Sequence, residues 1–62
     1  MDLELERKTR GCFTSNCPAR YRVVGAPGGT VFVGKKLDEE TRAQLEGQIG
    51  PDEYAVWVPD DL

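Results

Sequence analysis

The sequence predicts a small α+β domain: an antiparallel sheet of three or four strands, ordered β-β-β-α-β, with one short helix on one face. Three observations predict it. Residues 19–24 and 31–36 are β-rich runs separated by Gly-Ala-Pro-Gly-Gly-Thr. In residues 37–49, Leu37, Thr41, Leu45 and Ile49 recur every four positions around a capping aspartate. Residues 54–58 form a short aromatic and β-branched run that stops at Pro59.

The elements follow in order. Residues 2–9 alternate Leu3 and Leu5 with Glu4 and Glu6, the period of a half-buried strand. Residues 10–18 hold Gly11, Thr14, Ser15, Asn16 and Pro18, which is turn chemistry. In residues 19–24, Ala19, Tyr21 and Val23 share one face and Arg20 and Arg22 the other. Pro27 presets φ for the first corner of a type II turn, and Gly28 tolerates the positive φ of the second. Residues 31–36 complete an antiparallel hairpin. Gly34 within that run signals a bulge or the close approach of another backbone.

Asp38 is a good N-cap, and Glu39 and Glu40 complement the positive end of a helix dipole. Leu37, Thr41, Leu45 and Ile49 then recur every four residues, a narrow apolar stripe. Gly47 or Gly50 ends that helix, and Pro51 opposes its continuation. The final run has two apolar faces, Tyr54, Val56 and Val58 on one and Ala55 and Trp57 on the other. Such a strand is usually covered twice. The tail from Pro59 to Leu62 is expected to fray. The predicted core is Leu5, Tyr21, Val23, Val31, Val33, Leu37, Leu45, Ile49, Val56 and Trp57.

The chain has 62 residues, 39% of them hydrophobic, and reads as one domain spanning residues 1–62. A chain this short buries only about 60% of its unfolded surface and is marginal without a partner, metal or disulfide. The thin supply of core residues, with too little chain to cover the last strand twice, predicts a homodimer or a stable complex with another protein. The longest apolar run, residues 55–58, is far below the ~20 residues of a membrane span. The first ten residues alternate charge and lack the apolar stretch of a secretion signal, so a cytoplasmic protein is expected.

Chemistry is scarce. There is no His, the commonest catalytic base and metal ligand. The carboxylates sit where capping and solvation explain them. The Gly-rich run joins two strands instead of opening a helix, so it is no phosphate loop. No enzyme and no cofactor are expected. Cys12 and Cys17 sit in a turn and read as reduced, half-buried side chains in a cytoplasmic protein. A zinc site shared across a dimer, or a redox element, is the alternative reading for this pair.

Binding groups are better supplied. The net charge of −3 conceals an asymmetry. Residues 7–36 hold Arg7, Lys8, Arg10, Arg20, Arg22, Lys35 and Lys36 and no acid. Residues 38–62 hold Asp38, Glu39, Glu40, Glu46, Asp52, Glu53, Asp60 and Asp61 against Arg42 alone. Folding of the acidic half onto the basic half is the first expectation. Arg20, Arg22, Phe32, Tyr54 and Trp57 are residue types enriched at interface hot spots and form the candidate partner-binding set. Arg20, Arg22, Phe32, Lys35 and Lys36 form an alternative nucleic-acid-binding set. Overall acidity argues against it, because it repels phosphate.

Ser15-Asn16-Cys17-Pro18, Pro27-Gly28-Gly29 and Val31-Phe32-Val33, followed by Leu37-Asp38, a short helix and Ala55-Val56-Trp57-Val58-Pro59, resemble a known pattern. It is that of small acidic actinobacterial proteins of unknown function encoded beside helix-turn-helix transcription regulators. The likeness covers residues 12–59 through short, turn-dominated motifs. It implies a protein partner of a DNA-binding regulator and no catalytic residues.

Overall fold

The alternation in the N-terminal third does produce a sheet. A computed structural model describes residues 1–13 and 16–62; the expected turn residues Thr14 and Ser15 lie outside the described residues. The elements are β1 (Asp2–Lys8), β2 (Ala19–Val24), β3 (Thr30–Val33), β4 (Lys35–Lys36), α1 (Glu39–Ala43) and β5 (Val56–Trp57). β1, β2 and β3 form an antiparallel sheet with β2 central, and β4 and β5 pair separately as a two-stranded ribbon. This is a small α+β fold. The single sheet expected to hold every strand is instead two.

Register explains the faces. Leu3 lies opposite Val23, Leu5 opposite Tyr21, Tyr21 opposite Val31 and Ala19 opposite Val33. Directly opposed residues share a face, so these seven side chains make one apolar surface. Glu4 opposes Arg22, and Arg20 opposes Phe32, on the other face. A bulge between Leu5 and Arg7 leaves Glu6 as the extra residue and sets Arg7 opposite Arg20.

The β2–β3 connection differs from a plain type II turn. Gly28 has the expected positive φ, 81°, but Gly25 and Gly29 share that region and the Ala26–Pro27 peptide is cis. The Val23 amide donates to the Gly29 carbonyl at 3.0 Å, closing the hairpin.

Gly34 splits the third predicted strand. A side chain there would overlap the Trp57 carbonyl oxygen and press on Val58 and Val56. Of the two readings of Gly34, a bulge or the close approach of another backbone, the structure shows the second. That approach lets β5 cross against the chain at the point where β3 gives way to β4.

The Asp38 cap forms as expected, its carboxylate accepting from the Thr41 amide at 2.7 Å. The helix does not run to Gly47. It closes after Ala43, and the chain continues in tighter turns, with Leu45 bonding back to Arg42, Glu46 to Ala43 and Gln48 to Leu45. Gly47, at φ 82°, belongs to these turns. Tertiary packing of an apolar face supplies most of a helix's stability in proteins. No residue of α1 is buried, so that support is missing here and the expected packing of the helix on a sheet face is not seen.

The predicted core is mostly not a core. Among the described residues, Pro18, Ala19 and Val23 are buried, the last two at 3% and 4% exposure. Tyr21, Val31, Leu37, Leu45 and Ile49 are half-buried, while Leu5, Val33, Val56 and Trp57 are exposed. The terminal run, expected to be covered twice, pairs over only two residues, and while Ala55 and Val58 are half-buried, Val56 and Trp57 are exposed. The reason is geometric. The apolar residues are divided among a sheet, a ribbon and a coiled segment that do not stack into two full layers. The result is a plate of 32 × 31 × 17 Å.

Candidate functional site

The candidate partner-binding residues fall into separate groups. Arg20, Arg22 and Phe32 share the charged face of the three-stranded sheet, with Phe32 directly beside Arg20. Trp57 lies on the ribbon opposite Lys35. Tyr54 stands at the edge of the coiled segment, 96% exposed. The sequence placed Trp57 in the core and in the partner set together. The structure leaves its indole 52% exposed, which removes it from the core.

The acidic half was expected to neutralise the basic half. Instead, β1 supplies the counter-charges for the sheet arginines. Arg22 donates to Glu4 at 3.1 Å, and Arg20 Nε lies 3.6 Å from Glu6 Oε1, an ion pair beyond hydrogen-bond reach. Lys35 donates to the Asn16 carbonyl at 3.2 Å. Three of the five candidate nucleic-acid residues are therefore engaged with acceptors of the chain itself. The signal for this was present in the sequence. Glu4 and Glu6 alternate with Leu3 and Leu5, so once Leu5 meets Tyr21 the carboxylates must meet the arginines.

Cys12 and Cys17, read as reduced, are bonded to each other, with Cα atoms 6.0 Å apart. The bond takes both sulfurs out of the thiolate form a zinc site requires. It closes the β1–β2 connection, where the Thr9 amide donates to the Pro18 carbonyl at 3.1 Å.

The tail does not fray. The Asp61 carboxylate accepts from Thr9 Oγ1 at 3.1 Å and from the Arg10 amide at 2.9 Å. The Arg10 amide does most to hold this carboxyl below its ordinary value of 3.8, with Thr9 and the charge of Arg7 assisting. A depressed pKa contributes stability above the unfolded value and loses it as pH falls through the folded one. The clamp is thus intact at neutral pH and is expected to release below 3.8. An NMR acid titration should show the Arg10 amide shifting upfield in that window, and Asp61→Asn should abolish the transition. Asp38 and Glu39 are also lowered, by the Thr41 and Arg42 hydrogen bonds respectively. The Arg10 amide therefore isolates Asp61 from the helix cap. An unchanged Arg10 titration in Asp61→Asn would refute the clamp.

A groove that sequence reasoning missed lies beside the coiled segment. Two adjoining hollows of about 270 and 380 Å³ meet at Arg42, Tyr54 and Ala55. Leu45 and Ile49 line the first, and Leu37 and Val56 the second. Leu45, Ile49 and Leu37 are the apolar stripe of the sequence, turned toward a groove by the tight turns after Ala43.

Comparison of the chain with protein-family models, with curated proteins and with solved structures gives no match.

Among the described residues, no helix is long and apolar enough to cross a membrane.

Proposed function

We propose that this chain is a protein-interaction module that completes its packing on another protein. One observation carries the reading. The accessible surface is 5146 Å². A self-contained protein of 6.9 kDa should expose about 4,000 Å². The excess, roughly 1,100 Å², exceeds the ~800 Å² that each partner contributes to a standard interface. The radius of gyration agrees: 13.3 Å, against about 10.6 Å for a compact chain of this length. Trp57 and the apolar sheet face with Leu3, Leu5 and Val33 present exposed large hydrophobics that such a partner would cover.

The specific form of the proposal, a regulatory partner of a DNA-binding transcription regulator in the cytoplasm, comes from the resemblance of residues 12–59. Self-association into a homodimer belongs to the same reading. Binding without catalysis is proposed because the sequence has no His and Cys12 and Cys17 are tied up in a disulfide.

The test is photo-crosslinking from position 57 in the native cell, combined with sedimentation of the untagged chain. The expected result is one protein crosslinked stoichiometrically, or a mass above that of one chain. A single chain at high micromolar concentration, with no crosslinked protein and with tight salt-sensitive oligonucleotide binding, would reverse the reading in favour of nucleic acid.

A further inference from the structure

The β1–β2 connection does more than reverse the chain. The Cys12–Cys17 bond closes it, and contacts from later in the chain land beside both cysteines. On one side is the turn Pro59–Leu62, closed by the Leu62 amide on the Pro59 carbonyl at 3.2 Å. It presents Asp61 to Thr9 Oγ1 and to the Arg10 amide. Gly11, at φ 72°, is all that separates Arg10 from Cys12. On the other side, Lys35 of β4 donates to the carbonyl of Asn16, the neighbour of Cys17. Tail and ribbon are thus fastened to the segment whose shape the bond fixes. Both cysteines are half-buried, and Phe13 next to Cys12 is 95% exposed. The bond therefore lies at the surface, within reach of a small thiol.

We propose that the Cys12–Cys17 bond is a redox latch for the C-terminal tail: closed, it holds residues 9–12 in the shape that Asp61 grips, and opened by a thiol reductant, it lets the tail go. The chemistry is thiol–disulfide exchange. One reductant thiolate attacks a protein sulfur, the S–S bond breaks and a mixed disulfide forms; a second reductant thiolate then displaces the protein sulfur. Two electrons pass to the protein, the two protons of the reductant thiols end on Cys12 and Cys17, and the reductant leaves as its own disulfide. In a reducing compartment a disulfide is ordinarily transient, and either catalytic or redox-sensing, so the latch rests on the cytoplasmic part of the reading above. Coupling between the two constraints is reciprocal. Whatever factor the closed bond adds to tail docking, the docked tail adds to the bond's resistance to reduction. Trp57 stands two residues before Pro59, so the latch also governs the anchorage of the strand that carries the indole.

The test is a glutathione redox titration of the purified full chain, followed by NMR of both forms. The bond is expected to open in an excess of reduced glutathione while the cross-strand proton contacts Leu3–Val23 and Leu5–Tyr21 persist. Backbone order parameters of Asp60, Asp61 and Leu62 should fall below about 0.6 on reduction, with those of β2 staying near roughly 0.85. Asp61→Ala should make reduction easier by about fivefold in the glutathione ratio at the midpoint, the worth of one net hydrogen bond. Asp38→Ala removes the helix cap and so costs a comparable stability far from the bond; it should leave the midpoint where it is. Loss of the sheet contacts on reduction, a tail that stays ordered, no shift in Asp61→Ala or an equal shift in Asp38→Ala would each overturn the latch. A bond that stays closed in excess reduced glutathione would overturn the latch and its cytoplasmic premise together. Crosslinking from position 57 is read separately, so none of these results touches docking on a partner.

Discussion

Gly34→Ala is expected to separate the ribbon from the sheet. A methyl group there would sit about 2.9 Å from Val58 Cγ1 and 3.0 Å from Val56 Cγ2, and closer still to the Trp57 carbonyl oxygen. A side-chain methyl can rotate away, but a backbone carbonyl in a paired strand cannot move without breaking the pair. Forcing an extra carbon into a fitted contact costs about 1–3 kcal/mol. At roughly 4–8 °C per kcal/mol for a domain of this size, the melting temperature should fall by about 5–20 °C. Cross-strand proton contacts between Lys36 and Val56 should disappear, and the Trp57 emission should move toward that of free indole. A variant that keeps both its melting temperature and those contacts would mean that β5 does not lie against Gly34.

Removing the disulfide should cost nearly as much, by a different route. Closing a loop of six residues restricts the unfolded chain and is worth about 2 kcal/mol in the chain-entropy model. A native chain of this length holds only about 3–9 kcal/mol in total. Reduction, or Cys12→Ser with Cys17→Ser, should therefore lower the denaturant midpoint by about a fifth or more. Chemical denaturation with and without reductant measures this directly. An unchanged midpoint would count against the bond as a stabilising element. A reduced chain that recovers its stability on adding zinc, at one ion for every two chains, would revive the shared metal site.

Where the sequence signals were purely local, local physics answered them. Alternation in residues 2–8 and 19–24 sorts leucine and tyrosine from glutamate and arginine whatever lies beyond the sheet. Asp38 caps a helix by reaching an amide three residues away. Both signals are complete within a few residues, so both were legible. The length of the helix was not. A stripe of Leu37, Thr41, Leu45 and Ile49 describes a continuous α-helix only if something packs against it. With no buried residue in α1, the chain after Ala43 tightened into turns, and the same stripe came to line a groove.

The candidate site divided in the same way. Residue types were readable: the aromatic and basic side chains of the candidate set could be named from the sequence alone. Their assembly was not. Arg20 and Arg22 read as a free basic face until register set Glu4 and Glu6 beside them. Trp57 read as core because a run apolar on both faces ordinarily lies inside. It emerged half-exposed because its partner strand is only Lys35–Lys36, after which the chain turns into the Asp38 cap. Asp61 read as part of a loose tail because its donors, Thr9 and the Arg10 amide, lie some fifty residues earlier in the chain.

The sequence by itself determined the strands of the hairpin, the cap of the helix and the shortage of apolar material. Each depends on the chemistry of adjacent residues. Tertiary structure decided which charges cancel, that β5 leaves the main sheet, and that the apolar side chains spread over a plate instead of closing into a core. Those outcomes depend on where distant segments meet, and local pattern carries no information about a meeting point fifty residues away.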